Sequence, residues 1–127
     1  MLKQWEKRII VFQYIYSCLM KNDFDFNNIP DEIKNDQDIY NVVEYAINNF
    51  SEIKKIIVSN LNDNWNWDRV SEIDLSIIIS AYSEYEVTKI DRKIIIDQAV
   101  VTSKNYSDEK SYKFINFILD RMLNAEV

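Results

Sequence analysis

The 127-residue sequence has no glycine and a single proline, Pro30. Four of its runs, IIVF at 9–12, IIVS at 56–59, IIIS at 77–80 and IIID at 94–97, are β-branched and read on composition as strands. Strands need tight turns, and tight turns draw on glycine for backbone at positive φ. A sheet protein without glycine is improbable, so the expected class is all-α. Histidine is also missing, which removes the commonest metal ligand and general base. The lone cysteine, Cys18, excludes an internal disulfide framework and suits a reducing compartment. Basic residues are outnumbered 15 to 21, for a net charge of −6. No global basic field advertises nucleic acid, and any such site must be a local patch.

Lys3, Lys7 and Arg8 followed by IIVFQYIYSCLM superficially resemble an export signal. Gln13 interrupts the apolar run and no small-x-small cleavage pattern follows, so a cytoplasmic protein is expected. The stretch at 69–85, RVSEIDLSIIISAYSEY, carries no charge between Leu75 and Ala81. Wound as a helix it is apolar nearly all round, which predicts a buried central helix; it is too short to cross a bilayer. Ser71-x-x-Asp74 is a helix-start pattern.

Around this stretch the periodicity predicts a compact bundle of about 6–7 helices in a single domain over residues 1–127. A first helix at 3–20 is expected to bury Trp5, Ile9, Phe12, Tyr16 and Leu19, with Cys18 in the core. Residues 21–35 read as a loop with a short helical turn after Pro30. A second helix at 36–49 presents Ile39, Val42, Val43, Ala46, Ile47 and Phe50, and Ser51 is expected to cap a third. Residues 60–68 form a turn in which Trp65 and Trp67 read as anchors to the core. Asp91 caps a helix at 92–105 with Ile95, Ala99 and Thr102 inward, and Ser107 starts the last helix.

That last helix sorts its residues. Ile115, Ile118, Leu119 and Met122 form a core face, and Lys110, Lys113, Phe114, Phe117 and Arg121 share another. Cations beside aromatics suit single-stranded RNA, with phosphates on the cations and bases stacked on the rings. The competing reading is that both phenylalanines pack inward and the cations are solvated. Lys3, Lys7 and Arg8 form a second basic cluster, with the same alternative. For catalysis nothing presents itself. Carboxylate pairs such as Asp23/Asp25 and Asp36/Asp38 fall in loops or solvated helix starts, no nucleophile–base pair is recognisable, and neither metal nor cofactor is expected.

Read as one string, the second half gives W-x3-R-V-x2-I-D from Trp65 to Asp74, A-Y-S-E at 81–84, I-I-I-D-Q-A-V at 94–100 and S-Y-K-F-I-N-F-I-L-D at 111–120. With Arg8 and V-F-Q-Y-I-Y at 11–16, this order resembles the NusB family of bacterial transcription antitermination factors. The resemblance implies two packed helical halves and no enzymatic activity. It further implies binding of boxA-type single-stranded RNA of ribosomal RNA operons together with the ribosomal protein NusE, in the complex that lets RNA polymerase read through terminators. No methyltransferase follows, so the free-standing factor is expected.

The helix faces offer Lys3, Lys7, Lys110 and Lys113 for RNA binding; carried onto matching positions, the resemblance adds Arg8, Tyr16 and Phe114, and implies partner contact at Asp74 and, secondarily, Glu84. The working expectation is that the first and last helices adjoin as one RNA track. The family's Arg-rich opening is reduced here to Lys3, Lys7 and Arg8, its Asn-Glu pair is Asp97-Gln98, and its Gly after Asn116 is Phe117. Fewer cations weaken the phosphate contribution to affinity. The alternative is therefore a protein-interaction or homodimeric module of the same fold that has lost RNA binding. Monomer and dimer both remain open.

Overall fold

The computed structural model describes residues 2–24 and 26–124; Asp25, of the acidic pair above, lies outside them. Among the described residues there are seven α-helices, two short 3-10 turns and no strand. The helices are α1 (Gln4–Lys21), α2 (Asp31–Lys34), α3 (Gln37–Asn48), α4 (Phe50–Ser59), α5 (Glu72–Thr88), α6 (Arg92–Tyr106) and α7 (Ser111–Asn124). All four β-branched runs are helical. None of the helices is long and apolar enough to cross a membrane.

The central stretch is α5. Every residue from Asp74 to Glu84 is buried, because α1, α3, α6 and α7 all pack against it. Burial of Ile77, Ile78 and Ile79 stabilises the bundle by ~1.5–3 kcal/mol each. Two of its serines fit because their hydroxyls bond to the helix's own carbonyls, Ser76 to Ile73 at 2.7 Å and Ser80 to Ser76 at 2.6 Å. Ser71 caps the helix as its pattern predicts, accepting from the Asp74 N–H at 3.2 Å. Asp36 and Asp91 cap α3 and α6 in the same way.

Without glycine, two helix ends place other residues at positive φ: Asn22 at 52° after α1 and Lys89 at 56° after α5. Asparagine tolerates that region better than most residues, whereas for lysine it is strained.

Three local expectations are corrected. On α1 the buried face is Val11, Phe12, Ile15 and Cys18, and Trp5 is 58% exposed. Apolar residues occupy 9–12 and 14–16, so the stripe is wide, and packing against both α5 and α3 selects its other edge. Burial pushes the Cys18 thiol up from its ordinary value and keeps it neutral. Ser51 does not cap α4, which begins at Phe50 directly after Asn49. Ser107 ends α6 rather than starting α7, and its extended backbone frees the hydroxyl to reach across to α5. On α7 the inward face is Ile115, Ile118, Leu119 and Met122 as expected, joined by Leu123.

Candidate RNA-binding surface

The strip on α7 survives folding as a surface. Lys110 and Lys113 are exposed and make no ion pair among the described residues. Phe117 is 39% exposed with the Arg121 guanidinium 5.4 Å from its ring centre. Phe114 is half-buried against the edge of the core. Trp65 lies over it, with ring centroids 5.5 Å apart and planes inclined by 28°.

The basic cluster on α1 is arranged differently. Lys3 is exposed at the start of the helix, its backbone N–H donating to Glu6 at 3.0 Å. Lys7 is drawn onto the start of α3, with Nζ 2.8 Å from Asp38 and 3.4 Å from Asp36. The hydrogen bond to Asp38, helped by Asp36 and opposed by desolvation, raises its pKa above 10.5. Arg8 makes a two-pronged contact with Glu84 on α5, Nε at 3.0 and 3.1 Å and a terminal nitrogen at 2.9 Å. The two side chains are only 17% and 9% exposed, so this pair fastens α1 to α5. Tyr16 is half-buried.

The two residues assigned to a protein partner lie below the surface. Glu84 is the carboxylate that holds Arg8. Asp74 is 8% exposed, and its Oδ1 accepts the Ser107 hydroxyl at 2.6 Å, tying the start of α5 to the end of α6. Nor are the two basic patches brought together by direct helix packing. α1 packs chiefly on α5 and α3, and α7 chiefly on α6 and α5. Between α1, α3, α5 and α6 lies a cavity of about 360 Å³, floored by Val11, Ile39 and Ile77 and edged by Lys7, Arg8 and Glu84.

Sequence reasoning missed the Arg8–Glu84 pair, although a signal existed. A carboxylate inside a helix that is otherwise apolar all round must find a cation or a hydrogen-bond donor. It also took Trp65 for a core anchor. That role belongs to Trp67, half-buried edge-on against Phe50 at 6.0 Å with Lys54 4.7 Å from its ring centre. Trp65 itself is 45% exposed.

A helical body with an exposed strip of cations and aromatics suits binding. Known proteins agree on the class. The NusB family model matches residues 6–124. The transcription antitermination protein NusB of Ligilactobacillus salivarius (strain UCC118) is 32% identical over 129 residues, covering 96% of this chain and 98% of its own. Its counterpart in Listeria welshimeri serovar 6b is 38% identical over 121 residues, covering 93% and 94%. The solved structure of T. maritima NusB superposes with a TM-score of 0.85 at 26% identity, over 97% of this chain and 92% of that one. The class is that of non-enzymatic antitermination factors. The chain belongs to the NusB family.

Proposed function

We propose that residues 1–127 act as one cytoplasmic RNA-binding domain that takes boxA-type single-stranded RNA together with a NusE-type ribosomal protein, within the RNA polymerase antitermination complex. The observation that carries this is the α7 strip, where Lys110, Lys113, Phe117 and Arg121 are exposed beside Phe114, which is half-buried at the edge of the core. Lys3 adds an exposed cation at the head of α1. Arg8, Asp74 and Glu84 act by position, since each holds a helix in place through a part-buried contact, while Lys7 is paired at the surface with Asp38. The net charge of −6 suits a basic ribosomal protein by electrostatic complementarity.

A second reading has its own observation. Two of the three N-terminal cations are held by carboxylates, and the apolar cavity beside them is of a size that takes a partner's side chains. On that reading the fold serves protein contacts alone. The test is fluorescence anisotropy of a labelled boxA-type RNA titrated with the protein, with and without the ribosomal protein, at several salt concentrations. Salt-sensitive binding that tightens with the partner is expected. A folded protein that binds no RNA under either condition leaves only the protein-contact reading.

A further inference from the structure

We propose that Trp65 is the base-stacking residue of the RNA surface, with Phe114 as its support. This rests on the RNA reading above. Phe114 has one ring face against Trp65, so a base cannot use that face, and the half-buried remainder leaves little ring to offer. Trp65 presents the outer side of the same stack and is 45% exposed. A base added there extends a row of two rings into three.

The loop that carries Trp65 is held in one shape. The Trp65 N–H donates to the Asn62 carbonyl at 2.9 Å, and the Asn66 side chain accepts from the Arg69 N–H at 3.1 Å. The Arg69 guanidinium returns to the Asn64 carbonyl at 3.1 Å. Two residues on, Trp67 is pinned by Phe50 and Lys54. An exposed tryptophan fixed in this way loses little further freedom when a base arrives, so more of the stacking energy appears as affinity.

The surroundings supply the rest of a nucleotide's needs. Lys113 adjoins Phe114 in sequence and Lys110 lies one turn before it; both are exposed to meet phosphates. Phe117, under Arg121, follows three residues later, ~4.5 Å along the helix axis at ~1.5 Å per residue. Guanidinium planes also stack on bases. The strip thus offers two adjacent platforms, Trp65 on Phe114 and Arg121 on Phe117, with lysines at one end.

The test measures binding of a labelled single-stranded boxA-type RNA to the wild type and to Trp65→Ala, Trp65→Phe and Lys113→Ala, each checked for an unchanged melting temperature. Trp65→Ala is expected to weaken binding about tenfold without altering the salt slope, since no charge is removed. Trp65→Phe should recover most of that affinity, and Lys113→Ala should lower the slope. Replacing single nucleotides by abasic ones should reveal one position at which Trp65→Ala has no further effect. Wild-type binding with Trp65→Ala unchanged overturns the role of Trp65 and leaves the RNA surface intact. Absence of wild-type binding, with or without the ribosomal protein, overturns both.

Discussion

Lys7 and Arg8 at the head of α1 and Lys110 and Lys113 at the head of α7 are equivalent in sequence, two cations close together near a helix start. In the fold they are opposites. The α1 pair is drawn inward by Asp38, Asp36 and Glu84, whereas the α7 pair faces solvent without an ion pair among the described residues. The difference lies in what surrounds them. α1 packs beside α3, whose N-terminal turn brings carboxylates, and beside α5, whose buried Glu84 reaches Arg8. α7 turns its cations away from everything it packs on. A basic residue here stays free of ion pairing where folding brings no carboxylate within reach.

The largest effect is expected where the comparison is most extreme. Arg8→Ala strands the Glu84 carboxylate at 9% exposure. Leaving one partner of such a pair uncompensated costs about 3–5 kcal/mol, to be read as a shift in the urea midpoint at constant slope. Removing the carboxylate as well, in Arg8→Ala with Glu84→Ala, should restore part of that stability. A cost below about 1 kcal/mol would mean that the pair behaves as a surface contact and that Arg8 is as free as Lys113. Ser107→Ala comes next. The hydroxyl is a hydrogen-bond donor to the buried Asp74 carboxylate, a bond worth about 1.5–3 kcal/mol. Lys110→Ala should leave the same midpoint within about 0.5 kcal/mol.

How far these interactions could be read from the sequence depends on their reach. The class was legible because missing glycine bears on every turn at once, and α5 because an all-round apolar pattern has one reading. The α7 core face was legible because a narrow stripe leaves a single phase; α1, apolar through most of 9–16, leaves several, and only its neighbours on α5 and α3 choose among them. The exposure of Lys110, Lys113 and Phe117 followed from the same narrow stripe, whereas Phe114 is half-buried against the core. Trp65 did not follow. Which of two tryptophans two residues apart anchors a loop is decided by Phe50 and Phe114, 15 residues before and 49 residues after Trp65 in the chain. The Arg8–Glu84 pair spans 76 positions, and the partner of Glu84 was identifiable only as a cation or donor that had to exist.

RNA affinity reads the comparison directly. Removing one cation that neutralises a phosphate lowers the slope of log affinity against log salt by about 0.7 for a single strand. Lys113→Ala should show that decrement, and Lys7→Ala should show none, because Lys7 is already neutralised by Asp38 and Asp36. Equal decrements would mean that RNA outcompetes the carboxylates and that both patches work alike. The raised pKa of Lys7 adds a check at alkaline pH. The stability it contributes is fully present below its unfolded pKa and disappears as pH rises through the higher folded value. The Lys7→Ala variant should lack that part of the alkaline decline.

The smallest effect is the one that converts one region into the other. Asp38 is 71% exposed, so Asp38→Asn removes its charge at little cost to the fold. Asp36, which caps α3 through the N–H groups of Asp38 and Ile39, is left in place. Lys7 then keeps only the 3.4 Å ion pair with Asp36 and becomes partly available. The salt slope should steepen by less than one phosphate's worth, under about 0.7, with a gain in affinity confined to low salt. Relief of the repulsion between Asp38 and RNA would also raise affinity, so the variant must be repeated in a Lys7→Ala background. A gain that disappears there belongs to Lys7, and α1 then differs from α7 only by the carboxylates beside it. A gain that persists comes from the acidic surface as a whole, and the two helices differ in more than their ion pairs.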